Sequence, residues 1–310
     1  MNILQLDKNH PLIFEQLTAK GFSVEEDHTS GYEEVLAKIK NYDGIIIRSR
    51  IPLDARFLEC SRHLKFIARV GAGMENIDVE KAKELGISLI NSPEGNRDSV
   101  AEHVVGMLLI LMNRLFIASQ EVKNGIWLRE ENRGDELFGK TVGLIGYGNM
   151  GKATARRLTG FGCRVIFHDI LPDLSDGFAT QVTLEELKQQ TDILSLHIPL
   201  TDESHYLIEG KFISEMAKPF YFINTSRGKN VKTKDLVEGI KSGKIKGAAL
   251  DVLEYEKSSF ENLDTSGNAD LDFLLKSEKA IITPHIAGWT VQSKEKLAQV
   301  IVDKILAEFS

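Results

Sequence analysis

The chain has 310 residues, of which 42% are hydrophobic and 27% charged, an ordinary composition for a globular protein of about two domains. Its 38 basic and 45 acidic residues give a net charge of −7, which argues against binding nucleic acid or an anionic membrane surface. The start, Met1–Asp7, lacks a basic region and a cleavage site, so no signal peptide is expected, and the longest apolar-rich run, Val104–Met112, is too short to span a bilayer. Cys60 and Cys163 are too few for a disulfide framework or a cysteine zinc site, and we expect a cytoplasmic protein.

Short apolar runs alternate with stretches of helical length along nearly the whole chain. This alternation predicts βαβ units and parallel sheets, whose strands are near-continuously apolar when both faces are covered. The predicted strands are Ile3–Leu6, Gly44–Ile47, Leu64–Val70, Ile87–Ile90, Thr141–Ile145, Arg164–His168, Ile193–Ile198, Pro219–Ile223, Ala248–Val252 and Ala280–Thr283. A polar, loop-like insertion is predicted at Ser258–Asn268.

One long apolar helix is predicted in the middle of the chain. Ser99 is placed to cap its start, Glu102 completes a capping box, and Gly125 ends it. Because its apolar residues cover most of its faces, we expect it to be buried on more than one side, as the crossing between two α/β domains. A last helix follows Thr290, and the pattern alone does not say which domain it joins.

The predicted strand Thr141–Ile145 runs into a G-x-G-x-x-G turn. Gly146 permits the tight turn, Gly148 lets a pyrophosphate approach the backbone, and Gly151 allows close helix packing. The helix predicted at Lys152–Thr159 directs its N-terminal N–H groups at the phosphate. A glycine turn with a purely structural role would contain the same three residues. The residues that follow the motif must therefore distinguish the two interpretations.

An acidic residue in the right place supplies that context. Asp169 closes the predicted strand Arg164–His168, 18 residues after Gly151. An acid near this spacing binds the ribose hydroxyls of a dinucleotide. Its negative charge also repels a 2′-phosphate, which favours NAD over NADP.

Three later strands are each followed by a polar segment: Asn224–Gly228, Asp251–Glu256 and Thr283–Gly288. Ligands of open parallel sheets bind beyond the carboxyl ends of the strands, so these segments are expected to converge beside the cofactor. A guanidinium binds a carboxylate bidentately, a histidine moves a hydroxyl proton, and a carboxylate orients that histidine. The combination suits hydride transfer to or from a 2-hydroxy acid. By position alone, Glu254 or Glu256 could reach His285.

These motifs resemble the D-isomer-specific 2-hydroxyacid dehydrogenase family over essentially the whole chain. The matching segments are GYGNMG with Asp169, LHIPLT at 196–201, NTSRG at 224–228, the Asp251…Glu256 segment and PHIAG at 284–288. The resemblance implies Arg227 as carboxylate clamp and carbonyl polariser, Glu256 as the partner of the histidine, and His285 as general acid and base. The expected cofactor contacts, those implied by the resemblance together with the motif glycines and Ser226, are Gly146, Gly148, Asn149, Met150, Gly151, Asp169, His197, Ile198, Pro199, Thr225, Ser226, Asp251 and Gly288. No metal is expected.

The resemblance also implies the architecture. Two doubly wound parallel-sheet α/β domains are expected: a Rossmann-type NAD-binding domain at 96–287, and a flavodoxin-like substrate domain formed by 1–95 and 288–310. The last helix is expected to return to the N-terminal domain, with the active site in the cleft between the two. The family suggests a homodimer through the long central helix. Longer members carry C-terminal regulatory domains, and because this chain stops soon after the returning helix, serine feedback through such a domain is not expected.

Two residues depart from the family pattern. Lys257 stands where the family usually has proline, which leaves the rigidity of that loop open. Trp289 stands where a small or polar residue is common. It either walls the nicotinamide or substrate pocket or simply packs.

The substrate contacts are expected in the N-terminal part of the chain. Loop glycines offer N–H groups to a carboxylate, and nearby guanidinium and hydroxyl groups suit a phosphate. The candidates are Arg48, Ser49, Arg69, Gly71, Ala72, Gly73 and Asn96. They resemble the D-3-phosphoglycerate dehydrogenase subgroup, which oxidises 3-phosphoglycerate to 3-phosphohydroxypyruvate in serine synthesis. A glyoxylate or hydroxypyruvate reductase, and an NAD(H)-sensing protein like the corepressors of this fold, remain alternatives.

Overall fold

A computed structural model describes residues 1–256 and 267–309. The chain divides into two compact units, one formed by Met1–Arg97 with Trp289–Ser310 and the other by Asp98–Gly288. Each unit contains one fully parallel sheet with helices. Lys257 and most of the predicted insertion Ser258–Asn268 lie outside the described residues.

The elements follow one another in alternation. The strands are β1 (Asn2–Gln5), β2 (Ser23–Glu26), β3 (Gly44–Ile47), β4 (Phe66–Arg69), β5 (Ser88–Asn91), β6 (Thr141–Ile145), β7 (Arg164–His168), β8 (Thr180–Gln181), β9 (Ile193–Leu196), β10 (Phe220–Asn224), β11 (Ile245–Leu250) and β12 (Ala280–Ile282). The helices are α1 (Leu12–Ala19), α2 (Tyr32–Lys38), α3 (Ala55–Cys60), α4 (Val79–Glu84), α5 (Pro93–Met112), α6 (Leu115–Lys123), α7 (Asn149–Leu158), α8 (Leu184–Gln190), α9 (Gly210–Glu215), α10 (Thr233–Lys241), α11 (Ala269–Lys276) and α12 (Val291–Phe309).

The first unit has the strand order β2-β1-β3-β4-β5, which is that of flavodoxin. Its central strand β3 is buried throughout, because Ile45 and Ile47 pack into one core and Ile46 into the core on the opposite face. Helix α12 belongs to this unit, and its Ile301 and Ile305 are fully buried in the second of these cores. Strand β2 was not predicted, since its side chains are largely exposed at the sheet edge.

The second unit has the strand order β12-β11-β10-β9-β6-β7-β8. The order reverses between β6 and β9, where β6 pairs with β7 on one side and β9 on the other. This is the dinucleotide-binding arrangement, whose ligands lie at the strand ends near the reversal. The predicted fold class of two doubly wound parallel-sheet domains is therefore confirmed. Only the two-residue edge strand β8 escaped prediction here.

The prediction of one helix from Ser99 to Gly125 is wrong. Helix α5 begins at Pro93, a residue well suited to the first helical position, and the Ser99 hydroxyl instead donates to the Ala287 carbonyl at 2.7 Å. The helix stops at Met112, whose carbonyl accepts the Asp135 N–H at 3.0 Å. Arg114 then takes a left-handed conformation, with φ of 52°, before α6 starts. Because the apolar pattern continues on both sides of this break, the break was not predicted.

The two halves of that region differ in burial. Helix α5 places Val104, Met107, Leu108 and Leu111 in the core of the second unit, whereas α6 has no buried residue. None of the described helices has, by itself, both the length and the hydropathy that a membrane span requires. Helices α5 and α6 together meet the length and composition criterion, but they are bent by 60° at the break.

Candidate active site

The glycine-rich turn after β6 is crowded at two positions and open at the third. A Cβ on Gly146, which has φ of 91°, would lie 2.5 Å from the His197 carbonyl oxygen. A Cβ on Gly151 would lie 2.3 Å from the Gly146 carbonyl oxygen. A Cβ on Gly148 would meet no atom within 4 Å beyond its chain neighbours, and Gly148 is the N-cap of α7, whose first residues are Asn149 and Met150. The open space therefore lies at the positive end of a helix, where a phosphate binds favourably.

Asp169 is fixed beside this turn. One carboxylate oxygen accepts the backbone N–H of Tyr147 at 2.6 Å, and the other accepts that of Leu171 at 3.0 Å. The Tyr147 ring stacks on Phe167 with centroids 3.7 Å apart, and its hydroxyl donates to Asp176 at 2.8 Å. Burial raises the pKa of Tyr147, so its phenol stays neutral. The supporting role of this tyrosine was not predicted, although the residue lies inside the glycine motif.

Two polar atoms near the ends of β9 and β10 have no protein partner among the described residues. They are Nδ1 of His197 and Oγ1 of Thr225, both buried. The other ring nitrogen of His197 lies 3.0 Å from the Ser195 hydroxyl. Burial lowers the pKa of His197 to about 4, so the ring is neutral near pH 7. Buried polar atoms are nearly always hydrogen-bonded, so these two fit a site that a ligand completes.

The neighbouring segment 198–199 packs against the turn. The Ile198 side chain would lie 2.8 Å from a Cβ on Gly146. The Pro199 carbonyl accepts hydrogen bonds from the Ser204 hydroxyl at 2.8 Å and from the Asn230 amide at 3.2 Å. This segment is therefore held rigidly against the glycine turn.

The three polar segments that follow β10, β11 and β12 start at the same level of the sheet. Asn224 pairs in register with Leu250, and Leu250 pairs with Ile282. The Asp251 N–H donates to the Asn224 carbonyl at 2.9 Å, and the Thr283 N–H donates to the Leu250 carbonyl at 3.0 Å. The structure thus brings the segments that contain Arg227, Glu256 and His285 to one edge of the sheet, as predicted for parallel strands.

The turn after β10 is braced by its own side chains. The Asn224 amide donates to the Arg227 carbonyl at 2.9 Å, and its oxygen accepts both the N–H and the hydroxyl of Ser226. Gly228 is tightly packed, since a Cβ there would lie 1.9 Å from the Leu253 carbonyl oxygen. The Ser226 hydroxyl is therefore engaged within the turn. The half-buried Arg227 side chain donates to the Ser226 carbonyl at 2.6 Å.

The two candidate glutamates have different partners. Glu256 Oε2 lies 2.8 Å from Nδ1 of His285. Glu254 instead accepts the Tyr206 hydroxyl at 2.6 Å and the Thr233 N–H at 2.8 Å. A carboxylate on Nδ1 selects the tautomer that carries its proton there and orients Nε2 outward. The His285 and Glu256 side chains are 25% and 16% exposed, so the pair is accessible but partly shielded from water.

Asp251 is 1% exposed and holds the loop that contains the histidine. Its carboxylate accepts the N–H groups of Ile286 at 2.9 Å and Ala287 at 2.8 Å, and also the Thr283 hydroxyl. Its carbonyl accepts the His285 N–H at 2.8 Å. His285 has a left-handed backbone, with φ of 56°, a strained conformation that persists only where surrounding contacts impose it. The observed role of Asp251 is this positioning, which the sequence analysis did not foresee.

In the first unit, the predicted substrate residues lie at the carboxyl ends of β3, β4 and β5. The Arg48 N–H donates to Asp7 Oδ2 at 2.6 Å, and Nε of Arg69 donates to the Arg48 carbonyl at 3.2 Å. The Gly71 N–H, expected to be available to a ligand, is engaged by the Ser92 hydroxyl and the Arg69 carbonyl. The remaining predicted residues are Ser49, Ala72, Gly73 and Asn96, and their contacts do not assign them a role. Oδ1 of Asn96 is buried and has no protein partner among the described residues.

Comparison with known proteins gives consistent matches. The family model "D-isomer specific 2-hydroxyacid dehydrogenase, NAD binding domain" matches residues 105–287. The chain is 35% identical over 276 residues to the hydroxypyruvate reductase of Thermotoga maritima, covering 89% of this chain and 88% of that protein. It is 32% identical over 311 residues to the D-3-phosphoglycerate dehydrogenase of Archaeoglobus fulgidus, covering 99% of this chain and 57% of that protein. The crystal structure of D-lactate dehydrogenase from Aquifex aeolicus, complexed with NAD and lactic acid, matches with a TM-score of 0.84 and 31% identity, covering 99% of this chain and 96% of that one.

Proposed function

We propose, because the chain belongs to the D-isomer-specific 2-hydroxyacid dehydrogenase family, that the turns after β10, β11 and β12 hold its reacting groups. The protein is an NAD-dependent oxidoreductase that acts on the CH–OH group of D-2-hydroxy acids. The predicted family, enzyme class and NAD cofactor are thereby confirmed. The assignment of individual residues, and the choice of substrate, are our proposals.

The proposed site has residues that fit the cofactor. The pyrophosphate would be held at the start of α7, where Gly148 has no Cβ. Asp169 would hold the ribose hydroxyls, and the cofactor would provide hydrogen-bond partners for Nδ1 of His197 and Oγ1 of Thr225. Bound NAD would supply the hydride acceptor for oxidation at C2 of the hydroxy acid, and NADH would supply the hydride donor for the reverse reduction.

His285 moves the proton that accompanies this hydride. In oxidation, Nε2 of His285 accepts the C2 hydroxyl proton as the carbonyl forms; in reduction, it donates that proton to the oxygen. The Glu256 carboxylate, 2.8 Å from Nδ1, stabilises the positive charge that the ring carries after accepting the proton. The observation that carries the assignment is this pair, on a loop that Asp251 fixes through several hydrogen bonds. Arg227 binds the substrate carboxylate and polarises the C2 carbonyl.

We propose further that the substrate carries a second anionic group, as in 3-phosphoglycerate and 3-phosphohydroxypyruvate. Arg48 and Arg69 both lie at the carboxyl end of the first unit's sheet, where Nε of Arg69 donates to the Arg48 backbone carbonyl at 3.2 Å. Guanidinium groups bind phosphate bidentately, and a pair of them suits a doubly charged group. Similarity to the D-3-phosphoglycerate dehydrogenase of Archaeoglobus fulgidus over 99% of this chain supports the same substrate.

Reduction of hydroxypyruvate or glyoxylate is the second candidate function. It is favoured by the similarity to a hydroxypyruvate reductase that is covered over 88% of its own length. Hydroxypyruvate has the same carbon skeleton and lacks only the phosphate. The two candidates therefore differ in whether Arg48 and Arg69 bind a charged distal group or face a neutral hydroxyl.

A panel of oxo acids separates the candidates. NADH oxidation is measured with phosphohydroxypyruvate, hydroxypyruvate, glyoxylate and pyruvate, on the wild type and on Arg48→Ala. We expect the highest kcat/KM with phosphohydroxypyruvate and a selective loss of that activity in Arg48→Ala. A higher kcat/KM with hydroxypyruvate, unaffected by Arg48→Ala, would favour the reductase. Tight NADH binding with no turnover of any acid would instead support an NAD(H)-sensing protein.

We also propose that the protein is a homodimer. Helix α6 and the segments after it present a set of large apolar side chains, each more than 40% exposed. They are Leu115, Phe116, Val122, Ile126, Trp127, Leu128 and Phe138. Several large exposed apolar side chains within one short stretch of chain are typical of a subunit interface. Light scattering after size exclusion should give twice the mass of 34.6 kDa, and Phe116→Glu should give the monomer mass.

A cytoplasmic location is the last part of the proposal. Cys60 is exposed and Cys163 half-buried, and both are free thiols. Free thiols persist in a reducing compartment. Cell fractionation with an antibody to the chain tests this placement.

A further inference from the structure

One side of helix α5 contacts the loop that contains His285. The Ser99 hydroxyl donates to the Ala287 carbonyl at 2.7 Å. Nε2 of His103 lies 3.1 Å from the Thr283 hydroxyl oxygen. Ser99 and His103 are four residues apart, so they lie on the same side of the helix, about one turn from each other. The helix therefore contacts the loop both before and after His285.

The proton on the His103 ring is located by the neighbouring hydrogen bond. The Thr283 hydroxyl donates to Oδ1 of Asp251, so its proton is not directed at His103. The Thr283 oxygen keeps its acceptor lone pairs, and it therefore accepts a hydrogen bond from Nε2 of His103. The ring thus carries a proton at Nε2, and the hydrogen bonds run in one direction, from α5 through Thr283 to Asp251.

Asp251 is the link between this contact and His285. Its carboxylate is buried, and a buried carboxylate is costly unless hydrogen-bond donors surround it. The Ile286 and Ala287 N–H groups supply donors from the loop. Nε2 of His103 lies 3.6 Å from Oδ1 of the same carboxylate, so α5 adds a further polar N–H beside it. Loss of the His103 ring would therefore weaken the whole set of contacts that fixes the loop.

The conformation of His285 depends on support from its surroundings. Its backbone is left-handed, with φ of 56°, which is unfavourable for a residue with a side chain. The end of β11 holds the loop through Asp251, whose carbonyl accepts the His285 N–H at 2.8 Å. Helix α5 holds the same loop on both sides of the histidine. Because reacting atoms must lie within about 3–3.5 Å of each other, a small shift of this loop would lower the rate.

We propose that His103 and Ser99 are positioning residues, which hold the loop of His285 in the conformation that proton transfer requires. The inference rests on the proposed function, which assigns that proton transfer to His285. Neither residue transfers the proton itself, because both act through hydrogen bonds to the loop. Their loss should therefore lower kcat, and it should leave NADH binding at the glycine turn after β6 nearly unchanged.

The kinetic test compares three substitutions in α5. His103→Leu removes the N–H donor and keeps an apolar side chain, whereas His103→Gln keeps an N–H donor. We expect His103→Leu to lower kcat about tenfold, with the KM for NADH within about twofold of the wild type, and His103→Gln to recover most of the loss. The control is Glu102→Gln, because Glu102 is 71% exposed and pairs with Arg157 at 3.1 Å. Its kcat should stay within about twofold of the wild type.

NADH oxidation is followed with the oxo acid of the panel that the wild type reduces fastest. An unchanged kcat in His103→Leu would overturn the inference, since the loop would then keep its position without the ring. An equal loss of kcat in His103→Gln and His103→Leu would also overturn it, because the N–H donor would then have no effect. A rise in the KM for NADH without a fall in kcat would assign these residues to cofactor binding instead.

Histidine ring signals test the positioning without any turnover. In the chain labelled with ¹⁵N-histidine, ¹H–¹⁵N correlation spectra distinguish the two ring nitrogens, and the His103 and His285 signals are assigned by substitution. We expect a proton on Nε2 of His103, and a shift of the His285 signals in Ser99→Ala and His103→Leu but not in Glu102→Gln. Ser99→Ala removes a single hydroxyl group, so it serves where His103→Leu does not fold. A proton on Nδ1 of His103 alone, or His285 signals that neither variant moves, would contradict the proposal.

The failure of this inference and that of the proposed function are distinguishable. Absence of turnover by the wild type with every oxo acid contradicts the proposed function. The ring signals concern the contact between α5 and the loop, and they are measured whether or not the protein reduces an acid.

Discussion

The carboxyl ends of the two sheets use their polar residues differently. In the second unit, the side chains of Asp251 and Asn224 are buried. They form hydrogen bonds with backbone groups of the turns that contain His285 and Arg227. In the first unit, Cζ of Arg48 lies 4.2 Å from the centroid of the exposed Trp289 ring. The polar side chains of the second unit are therefore held by buried hydrogen bonds, whereas the Arg48 side chain contacts an exposed ring. Ends of parallel sheets with the same direction thus hold their polar residues in different ways.

The largest effect is expected from removal of the residue that is proposed to carry the proton. His285→Ala should lower kcat by about 10²–10⁴-fold with every oxo acid, because general acid catalysis contributes that much. Stopped-flow measurement of NADH oxidation gives the rate. As a matched control, His63→Ala removes a histidine of the first unit that lies 3.0 Å from the Ile39 carbonyl, and kcat should stay within about twofold of the wild type. Equal kcat values for His285→Ala and the wild type would refute the assignment.

Alanine substitutions in the glycine turn should separate cofactor binding from stability within the second unit. Gly148→Ala adds a methyl group to open space at a negative φ, so the unfolding temperature should hardly change. The same methyl group should obstruct the pyrophosphate and raise the Kd for NADH about tenfold or more. The control is Gly151→Ala, whose Cβ would lie 2.3 Å from the Gly146 carbonyl and should destabilise the fold. Calorimetry gives both quantities, and unaltered NADH affinity in Gly148→Ala would place the phosphate elsewhere.

An effect on stability alone is expected at His197. Its pKa is lowered to about 4 in the folded state, whereas the unfolded chain has the ordinary value near 6.5. Between these values the unfolded state binds the additional proton, so the wild type loses stability as pH falls from 6.5 towards 4. In His197→Gln, position 197 does not titrate. Over the same pH range, the loss in the free energy of unfolding should therefore be about 1–3 kcal/mol smaller for this variant than for the wild type. Urea titrations at several pH values that give parallel curves for both proteins would be inconsistent with this account.

The strand ends that contain the second unit's candidate site residues were predicted from the sequence, because the motifs that mark them are local. Gly146 and Asp169 each lie at the end of a strand with a strong apolar pattern, and their neighbours in the structure follow from parallel pairing. The break between α5 and α6 could not be predicted, since it depends on the Asp135 N–H, which lies far along the chain from Met112. The stacking of Trp289 on Arg48 joins residues 241 positions apart, and no periodicity carries that information.

The fold class was predicted because the central strands have strong local patterns. The edge strands β2 and β8 were not predicted. Central strands such as β3 are apolar on both faces, whereas β2 has glutamates at an exposed edge and β8 has two residues. Edge strands are specified by pairing with a neighbour more than by their own composition. The pairing of His285 with Glu256 rather than Glu254 likewise depends on tertiary contacts, because Tyr206 and Thr233 engage Glu254.

Transfer of an isotopic label tests the central claim most directly. NADH deuterated on the transferred face of C4 is incubated with phosphohydroxypyruvate and the enzyme, and the product is analysed by mass spectrometry and NMR. If the edge formed by the turns after β10, β11 and β12 carries out the reduction, one deuterium atom will be found at C2 of a D-configured hydroxy acid. Deuterium that remains on a tightly bound nucleotide, with this acid and with hydroxypyruvate and glyoxylate alike, would contradict the account.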